Sequence, residues 1–299
     1  GAMSGYTVWK TPSGGQKEPL YSWAVTERDG LGRIKTKTET LDGITVTWGY
    51  DYDAHGRLWH VSKNGAIVAT YTYDARGNRG ASVDTPSAPE AAYDAQDRLI
   101  SSHSGAKSYH YNPNGQLQTV TQNGATILGL TYDVTGALQR ASSLKENGVV
   151  VDISYGTDPI GRMVSRTIGS NTTKFLYRSA LQLVAELDNN SNVTTEYVYA
   201  TGRNVPDYAI RGGVKYRLVT DHLGSLRAVV NTSNGQVVQK TEYDAWGNAT
   251  ELATGVDWTR LPFGFAGGIY DTDTKLVRFG ARDYDPSTGR WTSKDPIRF

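Results

Sequence analysis

The sequence predicts an all-β fold: tandem antiparallel β-hairpin repeats forming one long curved or spiralling sheet, a partial shell or ring. Three observations carry that expectation. A Tyr-Asp-x-x-Gly phrase returns at a spacing of about 20 residues, inside the range that marks repeat architectures. Asp-Gly or Asn-Gly dipeptides fall between its copies. The composition is that of strands and turns, with 19 Tyr and 33 Gly against 2 Met and 5 Phe in 299 residues. No helical period of useful length runs anywhere in the chain.

Residues 1–20 read as a remnant and a loose leader, or as a strand of a longer chain. Gly1-Ala2-Met3 has the look of an expression remnant, and Ser13-Gly14-Gly15-Gln16-Lys17 shows neither period. Residues 21–250 carry the hairpin repeats. A degenerate first turn, Asp29-Gly30-Leu31-Gly32-Arg33-Ile34, leads into the polar, strand-favouring Lys35–Thr40, which Asp42-Gly43 interrupts. The fullest copy is Tyr52-Asp53-Ala54-His55-Gly56-Arg57-Leu58, with further copies at Tyr73, Tyr93, Tyr111, Tyr132 and Tyr243. Between them Asn64-Gly65, Asn123-Gly124, Asn147-Gly148 and Asn234-Gly235 mark tight hairpins, since Asn-Gly suits the two positive φ angles of a type I′ turn.

Inside the phrase each residue type has a physical task. Asp accepts hydrogen bonds from amides two residues on, Gly takes the left-handed backbone, and Tyr closes a strand with a broad apolar ring and a polar tip. Stacked repeats are expected to bring one repeat's Arg near another repeat's Asp. From Tyr155 the phrase degenerates, Tyr155-Gly156-Thr157-Asp158-Pro159-Ile160-Gly161-Arg162 reading as a copy with a two-residue insertion. Phe175-Leu176-Tyr177 and Tyr197-Val198-Tyr199 read as strand ends, and Asp221-His222-Leu223-Gly224 restores the phrase with Thr220 in the Tyr place. Near residue 250 the composition shifts, and Trp258, Phe263, Phe265, Phe279 and Trp291 mark a separate module or cap over 251–299.

The totals exclude several function classes. Lys and Arg number 31 against 30 Asp and Glu, for a formal net charge of +1, so neither nucleic acid nor a membrane surface is recognised by bulk charge. With 0 Cys the chain forms no disulfide and has no thiolate chemistry. No apolar run approaches the roughly 20 residues that span a bilayer, so no membrane insertion is expected of this segment. His55, His60, His103, His110 and His222 lack the spacing of a metal site, and no phosphate loop or Ser-His-Asp arrangement is legible. No cofactor and no metal are expected. Asn171-Thr172-Thr173, Asn192-Val193-Thr194 and Asn248-Ala249-Thr250 match the glycosylation acceptor pattern, as chance does in a chain rich in Asn and Thr.

The hairpin phrases, with Pro262-Phe263-Gly264-Phe265-Ala266-Gly267 and then Arg282-Asp283-Tyr284-Asp285-Pro286-Ser287-Thr288-Gly289-Arg290-Trp291 and Asp295-Pro296, resemble the Rhs or YD-repeat proteins. The resemblance covers nearly the whole chain from about residue 25. It implies a β-shell like that of bacterial Rhs proteins, of the C components of Tc toxins and of teneurins. In the bacterial members such a shell encloses a C-terminal toxin domain. It implies further that 251–299 is a partial Rhs-associated core domain, an aspartyl-type autoprotease in the family, and that Arg282, Asp283 and Asp295 fall on its self-cleavage residues. In such a pair one carboxyl keeps a proton while the other stays charged. In a regular strand Arg282 and Asp283 point to opposite faces, so a common site requires a bulge or bend, or an Arg that acts on a different group.

The expected function is therefore structural encapsulation of a toxin for delivery, secreted or at a bacterial cell surface. The expected partners are the enclosed toxin domain, a secretion or delivery protein, and a second copy through exposed edge strands. Self-cleavage is the alternative enzymatic reading. The sequence stops at Phe299, ahead of the family's later cleavage segment, so little activity is expected of this fragment. A carbohydrate-binding or adhesion module, built on the Tyr stripes, is the third reading.

Overall fold

The structure, a computed structural model, describes residues 4–11, 15–82, 91–103, 105–201, 203–254 and 258–295, without the side chains of 81, 82 and 251–254. The Gly1-Ala2-Met3 remnant, Ser13, Gly14, Pro296 and Phe299 lie outside the described residues. The chain divides into two compact units, 1–109 and 110–299.

In the first unit lie β1 (Gly5–Lys10), β2 (Glu18–Arg28), β3 (Ile34–Leu41), β4 (Ile44–Tyr52), β5 (Leu58–Lys63), β6 (Ala66–Tyr73), β7 (Arg79–Ser82), β8 (Ala92–Tyr93) and β9 (Leu99–Ser102), and β10 (Lys107–Tyr111) runs past residue 109. β1 to β7 form a seven-stranded sheet in sequence order, and β8, β9 and β10 pair in order as well. Register sets Tyr21 beside Leu41, and Trp23 and Val46 on either side of Glu39, all on one face. That face is buried. It takes in Lys37 and Glu39 from the polar segment, with the Tyr21 hydroxyl donating to Glu39 Oε1 at 2.6 Å and Lys37 Nζ 3.6 Å from Glu39 Oε2.

The second unit continues with β11 (Leu117–Gln122), β12 (Ala125–Tyr132), β13 (Leu138–Leu144), β14 (Val150–Thr157), β15 (Met163–Ile168), β16 (Asn171–Tyr177), β17 (Leu183–Leu187), β18 (Val193–Val198), β19 (Tyr208–Arg211), β20 (Val214–Thr220), β21 (Leu226–Asn231), β22 (Val237–Tyr243) and β23 (Ala249–Thr254). From β11 to β23 each strand pairs antiparallel with the next. A single 3-10 turn (Phe265–Gly267) and a four-stranded sheet of β24 (Ile269–Tyr270), β25 (Val277–Phe279), β26 (Arg282–Asp285) and β27 (Arg290–Trp291) follow. Among the described residues there is no α-helix, and the all-β hairpin architecture stands as the sequence predicts.

The Tyr-Asp phrase builds one turn many times. Asp53 N–H donates to Arg57 O and Gly56 N–H to Asp53 O, each at 2.9 Å, and Asp53 Oδ1 accepts the amides of His55 and Arg57. Gly56 sits at φ 82°, the left-handed step that ends a type I turn in a one-residue bulge. The same two backbone bonds recur at Asp29, Asp74, Asp94, Asn112, Asp133, Asp158, Asp188, Asp221 and Asp244.

The expected approach of one repeat's Arg to another's Asp occurs, with Arg76 Nη1 3.4 Å from Asp97 Oδ1 and Arg57 Nη1 donating to Asp74 O at 3.4 Å, but the shorter pairing lies within each turn. Arg pairs with the Asp of its own turn, Arg57 Nε lying 2.7 Å from Asp53 Oδ2, with equivalents at Arg33–Asp29, Arg98–Asp94 and Arg162–Asp158. The four-residue turn places the two side chains side by side, closer than the next repeat. Contact between repeats runs through the ring: Arg33 lies 4.1 Å over Tyr52 and Arg57 4.4 Å over Tyr73. Both Tyr hydroxyls then bond back to the strand that follows that Arg, Tyr52 to Ile34 O at 2.9 Å and Tyr73 to Leu58 O at 2.7 Å. An Asp does reach across at Asp97, whose Oδ1 accepts Asn78 Nδ2 at 2.9 Å.

Two further expectations change in detail. Asp42-Gly43, Asn64-Gly65 and Asn123-Gly124 have both φ values positive, as a type I′ turn demands, but at Asn147-Gly148 and Asn234-Gly235 only the glycine does. Lys145 N–H donates to Val149 O there, so Asn147 belongs to the same bulged turn as the Tyr-Asp phrase. Tyr155 is not the phrase tyrosine of an expanded copy. Thr157, paired with Met163 across a bulge, holds that place, and Tyr155 points to the face that carries the C-terminal module.

Gly56 is bound by two constraints, since besides its φ an added Cβ would lie 2.8 Å from Arg33 Nη1. Gly56→Ala should therefore lower stability by about 1–2 kcal/mol. Ser191, at φ 66° in the equivalent place, should gain about 0.5–1 kcal/mol as Ser191→Gly. Thermal midpoints check both, and shifts of the same sign would contradict the assignment.

Candidate functional site

The C-terminal module covers one face of the hairpin sheet. Register carries that face from strand to strand: Ala141 beside Ile153, Tyr155 beside Arg166, Phe175 beside Glu186, Tyr197 beside Ala209, Val229 beside Gln239. On it sit residues 258–276. Phe263 meets Tyr197 edge to face at 5.0 Å, and Trp258 lies 4.7 Å from the Tyr216 ring. Gln239 Oε1 accepts Leu261 N–H at 3.1 Å, and Leu261, Phe263 and Val277 are fully buried. Burying such side chains stabilises the seat by roughly 1.5–3 kcal/mol each.

Charge fixes the position. The Asp271–Asp273 turn is gripped from the sheet: Arg166 Nε and Nη2 reach Asp271 at 2.8 and 3.0 Å, and the Tyr155 hydroxyl donates to Asp271 at 2.7 Å. Asp273 receives Arg166 Nη2 and, at 2.8 Å, Lys145 Nζ. Burial pushes both carboxyls up in pKa, yet Arg166, with Tyr155 at Asp271 and Lys145 at Asp273, brings them below the ordinary carboxylate range. A second clamp joins Glu186, Arg211 and Thr259, with Arg211 Nη1 donating to Thr259 O at 2.6 Å. Burial raises Glu186, against the charge of Arg211.

The three candidate residues occupy two places. Asp283 is 5% exposed and lies directly across from Arg278 on β25, whose Nη1 donates to its Oδ2 at 3.0 Å. Arg278 spends its other donors on Gly280 O and Gly161 O. Burial raises the Asp283 pKa, Arg278 opposing it and the Asp271 charge adding to it. Arg282, its chain neighbour, projects the other way, pairs with Asp295 at 3.0 Å and lies 4.1 Å over the Trp291 ring. The alternation of β26 thus separates Asp283 from the Arg282–Asp295 pair: the strand has no bend there, and Arg282 acts on a different group from Asp283. Thr292 and Tyr132 approach Asp283 from the other elements: Thr292 N–H donates to Asp283 O at 2.9 Å, and the charge of Asp283 helps keep the Tyr132 hydroxyl protonated. Asp285 closes a turn through Ser287 and Gly289, as the sequence suggests. No sequence motif singles out Arg278, Arg166 or Asp271. Among the described residues no group of His, Asp or Glu has the geometry to hold a metal.

A wall of Tyr-Asp hairpins bearing its own C-terminal segment on one face defines the class of YD/Rhs shell proteins. Residues 18–299 match the family described as Teneurin YD-shell, and the chain belongs to that family. It is 32% identical over 285 residues to Teneurin-3 of Mus musculus, covering 92% of this chain and 10% of that protein. It is 27% identical over 232 residues to the tRNA3(Ser)-specific nuclease WapA of Bacillus spizizenii, covering 77% of this chain and 10% of that protein. A crystal structure of TcdB2-TccC3 shares the fold at a TM-score of 0.52 and 17% identity, over 96% of this chain and 18% of that one. The chain spans about a tenth of the length of the teneurins it matches. It is a structural shell module.

Removing Arg278 strands a buried carboxylate, so Arg278→Met should cost about 3–5 kcal/mol at neutral pH, and Arg278→Met with Asp283→Leu should recover most of it. A double variant no better than the single would contradict the pairing. Asp271 and Asp273 lie below their unfolded pKa of about 4, so they add stability above that pH and lose it as pH falls through their folded values. Asp283 and Glu186, raised, act in the opposite sense, because charging them at neutral pH opposes folding. Asp271→Asn should lower the thermal midpoint at neutral pH and shrink its fall on acidification, whereas a curve parallel to wild type would exclude this role.

Proposed function

We propose that this chain is a wall-and-cap portion of a β-shell that houses a toxin domain for delivery outside the cell. The observation that carries the reading is the seat of residues 258–276 on one face of the hairpin wall, held by the Arg166–Asp271 and Arg211–Thr259 contacts. A wall that covers its own face with its C-terminal segment can keep a domain attached beyond that segment away from solvent. The kinship with WapA, a nuclease, and the fold shared with TcdB2-TccC3 support the same reading. On it the partners are the enclosed domain and a delivery protein. The natural full-length protein tests it by limited proteolysis: the domain beyond the cap should resist protease while attached, and Arg166→Glu should expose it. Equal cleavage of the attached and the separately produced domain would reject the housing role.

One observation favours self-cleavage as a second activity of this module. Asp283 is buried with a raised pKa, as a general acid requires, and Asp295 stands beside Arg282. Asp283→Asn and Asp295→Asn in a longer natural chain should each abolish cleavage as read by intact mass. Cleavage unchanged in both would remove them from catalysis.

A further inference from the structure

Most tyrosines of the Tyr-Asp phrase follow one rule. Tyr52, Tyr73, Tyr93, Tyr199 and Tyr243 each donate to the main-chain oxygen of the residue that opens the strand after the preceding turn, at Ile34, Leu58, Arg79, Leu183 and Leu226. The same register aims Tyr132 at Leu117, the first residue of β11, yet its buried hydroxyl makes no hydrogen bond. The cap meets the wall at that residue, where Leu117 N–H donates to Thr292 O at 2.7 Å. Thr292 is 2% exposed, and its hydroxyl has no partner either.

Thr292 ends a row of buried polar side chains on the cap sheet. Arg278 faces Asp283 from β25, and on the other side the pairing of Tyr284 with Trp291, extended by Thr292 N–H donating to Asp283 O, sets Thr292 opposite Asp283. Residues opposite one another in antiparallel strands project to the same face, so Arg278, Asp283 and Thr292 lie side by side. Arg278 takes Asp283 Oδ2, and among the described residues no hydrogen bond reaches Oδ1. A guanidinium only donates, so Oδ2 remains an acceptor and a proton on this carboxyl sits on Oδ1. Tyr132 comes to the row from the wall, beside Thr292 and within the field of Asp283 and Arg278. Three O–H groups are thereby left to donate at one place, where native interiors keep few unmade bonds. Donors that converge in this way suit a carbonyl oxygen, on which negative charge develops as a peptide is hydrolysed.

Building on the self-cleavage reading, we propose that the hydroxyls of Tyr132 and Thr292, with the Asp283 carboxyl, hold the carbonyl oxygen of the scissile peptide, so that the wall supplies a catalytic residue to the cap. A water oxygen bonds to the carbonyl carbon while the C=O pair moves onto the held oxygen, which takes the Asp283 proton. Collapse returns that proton to Asp283, re-forms C=O and breaks C–N, whose electron pair leaves on nitrogen with the proton the water gives up. A cap away from the wall lacks Tyr132, so cleavage follows its seating.

A longer natural chain, made by cell-free synthesis and followed by intact mass over time, gives the rates. Tyr132→Phe and Thr292→Val should each slow cleavage about a hundredfold, the loss expected for one such donor. Neither should lower the thermal midpoint of the 299-residue chain, because each removes a hydroxyl that makes no hydrogen bond there. Tyr73→Phe, whose hydroxyl is bonded to Leu58 O, should do the reverse, lowering the midpoint and leaving the rate unchanged. Cleavage at the wild-type rate in either Tyr132→Phe or Thr292→Val overturns the proposal, as does slowing matched by a lowered midpoint. Asp283→Asn separates the two readings. If it cleaves like wild type, or wild type does not cleave, self-cleavage by this module is rejected and the proposal with it. If it is inert while Tyr132→Phe and Thr292→Val keep the wild-type rate, only the three-donor site is rejected.

Discussion

The structure depends on a carboxylate that closes its own turn. At Asp53 one oxygen accepts two amides and the other holds Arg57, and the guanidinium so fixed covers the next repeat's Tyr73. Tyr73 then bonds back to Leu58 O, one residue beyond that Arg. Each hairpin is therefore oriented by the turn before it, and order passes from neighbour to neighbour as in other repeat arrays. Where Arg is replaced by Asn, the amide keeps the inner contact, as Asn78 does to Asp74 at 3.0 Å and Asn248 to Asp244 at 2.7 Å.

Among the described residues no layer of helices buries the face of this wall. In the second unit the chain supplies the cover itself, and does so with charge as well as with apolar side chains. Apolar contact alone would tolerate several positions of the cap. The half-buried Asp271–Arg166 pair does not, because moving either partner leaves a charge short of both its partner and full hydration. Asp283 and Arg278 repeat that logic inside the cap, where Arg278 also binds Gly161 O on a wall turn.

The turns were legible because their chemistry is local. Asp53, Gly56 and Arg57 lie within one turn, and the φ that Gly56 adopts is available to few other residues. Asp42-Gly43 announced its type I′ hairpin for the same reason, whereas Asn147-Gly148 did not, since a longer loop left its Asn at negative φ. The cap contacts were less legible. Asp271 and Arg166 are 105 residues apart in sequence, and neither sits in a repeated phrase. Arg278 was nearer at hand: the Phe279–Arg282 hairpin sets it opposite Asp283, a cross-strand relation readable once Gly280 is taken as the turn.

The sequence by itself determined the turns, the pairing order of the strands and the family likeness, because these rest on contacts among residues a few positions apart or one repeat away. Tertiary structure alone decided which polar residues leave water. Lys37 and Glu39 look like solvent-facing strand residues and are buried, while Arg282 and Asp283, adjacent in the chain, part to opposite sides of β26. Burial depends on what covers a face, and in the second unit the covering segment, residues 258–276, comes from far along the chain.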